Sequence, residues 1–181
     1  MADSFEALTR REALLLGAIA GRIFPTTDTP GAIEAGAVIY IDRALAGAYR
    51  PLLARYRRGL RELDRHARAE LGHGFSELSE AAQETMLIAL ESGQIDAVRD
   101  GAEFFRTVRS HVLEGVFGEP QYGGNRDLIG WKLVGFPGQR HGYPDAFINR
   151  VVDLPPVAAD PSITPSPPRK GERVRVRGTP R

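Results

Sequence analysis

The chain has 181 residues, 42% hydrophobic and 26% charged, with a formal net charge of +1; it is long enough to bury one sizeable core and too nearly neutral for a general affinity for polyanions. It contains no cysteine, which excludes disulfides, thiolate zinc sites, iron–sulfur clusters and covalently attached c-type haem. The charge is unevenly placed: residues 155–181 hold six Arg/Lys against Asp160 and Glu172, so a basic tail follows a mildly acidic body.

Near the N-terminus, Thr9-Arg10-Arg11 ahead of EALLLGAIAG has the outline of a twin-arginine export signal. Arg22 interrupts the apolar run, no small-residue cleavage site follows, and Thr9 with Glu12 three residues on forms a capping box. The stretch therefore reads as the first helix of the domain. Leu8, Leu15, Leu16, Ile19, Ala20 and Ile23 form its apolar face, and Pro25 stops it. No window approaches the roughly 20 apolar residues needed to cross a bilayer.

A turn-rich connection, FPTTDTPG, leads to a helix from about Ile33 to Ala46, with Glu34 in its first turn and Val38, Ile41 and Leu45 facing inward. A longer helix from about Pro51 to Leu71 sets Leu53, Tyr56, Leu60, Leu63, Ala67 and Leu71 on one side. Its other face mixes Arg55, Arg57, Arg58, Arg61, Arg65 and Arg68 with Glu62, Asp64 and Glu70, the pattern of a solvated, ion-paired surface rather than a nucleic-acid stripe. Gly72 ends it. Ser79 caps a helix through about Ser92 that buries Ala82, Met86, Leu87 and Leu90. The last long helix, about Asp96 to Phe117, aligns Val98, Ala102, Phe105, Val108, Val112 and Val116, with Phe104 broadening the stripe.

Residues 1–117 hold no sustained period-two alternation. The expected fold is all-α: an irregular bundle of about four or five helices over residues 1–154, closed by a Gly/Trp-rich loop. Residues 155–181, rich in Pro and Arg, read as a disordered tail whose Arg/Val alternation offers a strand or an anionic-surface contact.

The closing loop is the densest stretch of the chain. PQYGGNRDLIGWKLVGFPG runs from Pro120 to Gly138 with the single Trp of the protein, Trp131, and seven glycines fall between positions 118 and 142. Glycine suits backbone that takes positive φ or passes close to another surface. Asp127 to Val134 has room for one or two helical turns capped by Asn125 or Asp127, with Leu128, Trp131 and either Leu133 or Val134 inward.

No constellation for catalysis stands out. Gly123-Gly124 follows a helix and lacks the dinucleotide spacing, and Lys132 lies in no P-loop pattern. His66, His73, His111 and His141 are dispersed, without the pairs that hold metal on one helix face. No G-x-S-x-G elbow is present. Glu119, Asp127 and Asp145 near the loop read as caps or partners of Arg126 and Arg140. Catalytic, cofactor-binding and metal-binding residues are all expected to be absent from this chain.

IFPTTDTPGAIEAGAVIYID at 23–42 followed, after intervening helices, by PQYGGNRDLIGWKLVGFPG at 120–138 resembles the gluconate 2-dehydrogenase subunit 3 family, over roughly residues 8–140. The resemblance implies a helical, cofactor-free small (gamma) subunit that binds a large FAD-dependent dehydrogenase of the glucose-methanol-choline type. A cytochrome c subunit often completes such complexes, and the small subunit supports folding, stability or export. Many relatives carry a twin-arginine signal; here Arg10-Arg11 lies inside a capping box. The resemblance thus implies a periplasmic or membrane-associated complex if the partner is exported, and otherwise a cytoplasmic one, with no nucleic acid bound.

Within that reading the partner surface is Tyr122, Gly123, Gly124, Asn125, Arg126, Asp127, Trp131, Lys132 and Phe136. Two roles stay open for Trp131, an anchor for the partner or a core residue of the chain itself. The other readings of the sequence are a free-standing helical interaction module and a binder of anionic surfaces or nucleic acid through the basic tail.

Overall fold

The computed structural model describes residues 5–138 and 155–158, and among these every extended element is a helix. α1 (Arg10–Ile23), α2 (Ala37–Ala46), α3 (Leu53–Leu71), α4 (Glu80–Glu91) and α5 (Gly101–Phe117) precede the short α6 (Ile129–Val134). Single 3₁₀ turns lie at Arg50–Leu52, Phe75–Glu77, Pro120–Tyr122 and Arg126–Leu128. The all-α bundle is as the periodicity predicts. Most of the tail, residues 159–181, lies outside the described residues; Pro155–Ala158 returns to the loop, where Val157 N donates to Pro137 O at 3.1 Å.

Local chemistry sets where α1 begins. Thr9 Oγ1 accepts from Glu12 N at 3.3 Å and Glu12 accepts from Thr9 N at 2.8 Å, closing the capping box. Leu15, Leu16, Ile19 and Ala20 of this helix are buried, so Arg10-Arg11 is built into a core element. The segment before it is strapped down by Asp42 of α2, whose buried carboxylate accepts from the amides of Glu6, Ala7 and Leu8 at 2.7, 3.0 and 2.8 Å.

α5 is the central helix and touches α1, α2, α3, α4 and α6. It contributes Phe104, Phe105, Val108, Val112 and Val116 to the core, opposite Tyr56, Leu60, Leu63 and Ala67 of α3 and Ile41 and Leu45 of α2. Burying side chains of this size stabilises the fold by roughly 1.5–3 kcal/mol each. Four of the six arginines on the outer face of α3 are ion-paired, Arg55 with Glu103 at 2.8 Å, Arg58 with Asp100 at 3.5 Å, Arg57 with Glu12 at 3.6 Å and Arg68 with Asp64 at 3.2 Å, whereas among the described residues Arg61 and Arg65 have no carboxylate partner.

Three helices start later than their apolar spacing suggests. α2 begins at Ala37 rather than Ile33, because Gly36 is left-handed (φ 76) and interrupts the helix. Glu34 therefore caps the preceding loop instead of a helix, accepting from Thr26 Oγ1 at 2.8 Å and Gly31 N at 2.9 Å. α3 begins at Leu53 after a 3₁₀ turn through Pro51. α5 begins at Gly101 because Asp100 is left-handed (φ 55), although Val98 remains buried in the turn before it. Leu71, expected inside, is 48% exposed and rims a surface groove between α3 and α4.

Candidate functional site: the loop that closes α5

The last four carbonyls of an α-helix have no partner inside the helix. At the end of α5 the Gly/Trp loop supplies donors to three of these groups, the carbonyls of Glu114, Gly115 and Phe117. Gly118 N donates to Glu114 O at 2.7 Å and Asn125 N to Gly115 O at 2.6 Å. The indole Nε1 of Trp131 donates to Phe117 O at 2.7 Å, and Asn125 Nδ2 to Gly118 O at 2.9 Å. Asn125 Oδ1 also accepts from Gly130 N at 2.9 Å. One fully buried side chain thus joins the end of α5 to the start of α6.

The glycines follow from the closeness of this contact. A Cβ on Gly124 would overlap the carbonyl oxygen of Gly115, and one on Gly130 that of Val116. At Gly124 and Gly130 the loop backbone thus lies directly on α5. The turn between them is strained: Asn125, Asp127 and Leu128 have φ of 44°, 54° and 59°, a conformation that disfavours leucine by roughly 1–2 kcal/mol.

The second long motif meets the first here. Arg126 N donates to Ala35 O at 3.0 Å, Gly36 lies against the Gly123 carbonyl, and Phe24 meets Phe117 edge-on with centroids 5.7 Å apart. Residues 24–36 and 118–138, distant in sequence, therefore form one end of the molecule.

The nine residues expected at a partner surface divide into two sets. Gly124, Asn125 and Trp131 are buried and Gly123 is half-buried, while Tyr122, Arg126, Asp127, Lys132 and Phe136 are exposed. Trp131 is 3% exposed, with the Phe136 ring edge-on at 4.9 Å, so in the free chain it is a core residue. Leu133 and Val134, one of which was expected inward, are 44% and 60% exposed. The six-residue α6 buries only Gly130 and Trp131.

The model of the family described as gluconate 2-dehydrogenase subunit 3 matches residues 10–138. The chain belongs to that family. No curated protein and no solved structure matches it. The subunit 3 match opens on the first residue of α1 and ends on Gly138, the residue that bridges to Val157. It takes in every helix among the described residues, both motifs and their junction. The family's description makes the chain's setting a multi-subunit dehydrogenase.

Beside the junction, the subunit 3 domain holds a polar network that periodicity did not reveal. Glu114 accepts from the hydroxyls of Tyr40 and Tyr49, both at 2.9 Å. Tyr56 Oη and His111 Nδ1 are 2.8 Å apart, and the Tyr49 ring stacks on His111 at 4.4 Å. Burial, followed by the Glu114 hydrogen bond, raises Tyr40 far above the ordinary phenol range; for Tyr49 the hydrogen bond is the larger cause. Burial favours neutral imidazole and lowers His111, outweighing the opposing pull of Glu114. Tyr40 and Tyr49 open onto a groove of about 530 Å³ lined also by Arg43 and Tyr122. The only sequence trace of it is Glu114 standing three residues after His111 on one helix.

Of the remaining histidines, His66 is half-buried and His73 exposed, and His141 lies outside the described residues. Asp145 and Arg140 lie outside them as well. Among the described residues, no helix is long and apolar enough to cross a membrane.

Proposed function

We propose that this chain is a non-catalytic accessory subunit that binds and stabilises, or helps export, an FAD-dependent subunit of the glucose-methanol-choline type. That partner oxidises a sugar, a sugar acid or a polyol. The observation that carries this reading is the meeting of the two family motifs at the end of α5. The most deeply buried polar groups of the junction, Asn125 and the Trp131 indole, are engaged within the chain and are not available to a substrate. Among the side chains the same segments turn outward are Ile33, Tyr122, Arg126, Lys132, Val134 and Phe136, beside the acidic Asp28, Glu34 and Asp127. Aromatic and arginine side chains of this kind dominate the energetics of protein interfaces.

The flavin and the base that abstracts the substrate proton then belong to the catalytic subunit, and haem to a cytochrome c subunit where one is present. Association with a membrane comes through those partners. The complex is periplasmic or membrane-associated when the catalytic subunit is exported, and cytoplasmic otherwise. Purification of the tagged chain from its own host tests the reading. A co-purifying large subunit with a flavin absorption spectrum and dye-reducing activity on sugars is the expected result; a folded, colourless chain that comes down alone contradicts it.

A further inference from the structure

We propose that the cleft between the N-terminal half of α1 and the middle of α3 is a second docking surface, filled by an extended acidic segment of the catalytic subunit. The identity of that partner rests on the accessory-subunit reading. The cleft has a volume of about 380 Å³ and is lined by Arg11, Arg57, Arg61, Arg65 and Arg68. It lies at the opposite end of α1 from the motif junction, which begins just beyond the last turn of that helix.

Five arginines face two carboxylates in this cleft, Glu12 and Asp64, and Arg68 also reaches Glu77 at 3.6 Å, leaving two positive charges in surplus. Asp64 is saturated: it takes Arg11 at 2.8 Å, Arg68 at 3.2 Å and the Phe75 amide at 3.0 Å. Although burial opposes it, these bonds hold Asp64 below the ordinary carboxylate range. Glu12 is engaged by the Thr9 capping box and by Arg57 at 3.6 Å. Arg61 and Arg65 are exposed, and among the described residues neither has a carboxylate partner. On the same helix Arg55 and Arg58 are paired, with Glu103 and Asp100.

Arg61 and Arg65 stand four residues apart on α3, about 6 Å along the axis, where like charges repel. Alternate residues of an extended chain repeat at about 6.6 Å. A segment with acidic side chains at every second position therefore sets one carboxylate against each guanidinium, with bidentate geometry open to both. A bilayer fits less well, because the only aliphatic residue lining the cleft, Leu15, is buried and no exposed apolar side chain is there to insert. Nucleic acid meets Glu12 and Asp64 among the arginines and finds no aromatic ring to stack on.

The test uses the full chain, a fluorescent peptide of alternating serine and glutamate, and vesicles containing phosphatidylglycerol. The wild type should bind the peptide at low salt and release it as salt rises, and Arg61→Gln/Arg65→Gln should bind about tenfold more weakly with an unchanged melting temperature. Failure of the wild type to bind, equal binding by the variant, or arginine-dependent binding to vesicles but not to peptide overturns the proposal. In host purifications the variant should lose flavoprotein at a salt concentration at which the wild type keeps it. A wild type that brings down no flavoprotein at any salt overturns the accessory-subunit reading instead, and the peptide titration still decides the cleft.

Discussion

α3 and α5 both end at a glycine, and the two ends are built in different ways. α3 stops at Gly72, left-handed at φ 75, whose amide donates to Arg68 O at 3.1 Å. Nothing lies within 4 Å of where a side chain on Gly72 would stand, and Leu71 beside it is exposed, so this end is open to solvent. α5 stops at Gly118 inside the protein, where its carbonyls take donors from residues 125 and 131. An exposed helix end needs one residue of the right conformation; a buried one needs long-range donors held in place. The concentration of Gly, Asn and Trp in the closing loop follows from that requirement.

Substitutions at the two ends should separate them. The largest expected effect is at Trp131: Trp131→Ala empties a buried site and leaves Phe117 O without its donor, costing about 3–5 kcal/mol, read as a fall of roughly 10 °C in melting temperature. Asn125→Ala removes the two side-chain bonds that tie α5 to α6 and should cost about 2–4 kcal/mol, seen as a lower denaturation midpoint. Trp131→Phe keeps most of the ring and loses the indole donor, for about 1–2 kcal/mol.

A smaller, pH-dependent effect comes from His111. Its pKa is lowered in the folded state, so its contribution is complete above the unfolded imidazole value near 6.5 and is lost as the pH falls through the folded value. Denaturation at pH 7 and pH 5.5 should therefore show lower stability in acid, and His111→Gln should reduce that difference. The smallest effect is on the exposed face of α3, where Arg55→Ala breaks the pair with Glu103 for less than about 1 kcal/mol.

Much of this contrast was legible in the sequence. Thr9 and Glu12 announce α1, Ser79 announces α4, and the three- and four-residue spacing of Tyr56, Leu60, Leu63 and Ala67 places the inner face of α3. The helix starts were less legible, because Asp100 is a common residue near a helix N-terminus and nothing in its identity signals a left-handed conformation. Apolar spacing also says which side chains seek cover and not what covers them. Leu71 and Val134 keep the period of their helices and remain outside because, among the described residues, no neighbouring element reaches them. The meeting of residues 24–36 with the loop, and the Tyr40–Glu114–Tyr49 network, depend on contacts between distant segments. Beyond the spacing of His111 and Glu114, local pattern carries no trace of those.

The most direct measurement compares the melting temperatures of Gly72→Ala and Gly124→Ala. If the closing loop is the cap of α5, alanine at Gly124 must push the loop off Gly115 and cost more than about 3 kcal/mol, while alanine at Gly72 adds only the local strain of a left-handed residue, about 1 kcal/mol. Small and equal shifts in the two variants would contradict the account and make the loop an appendage of the bundle.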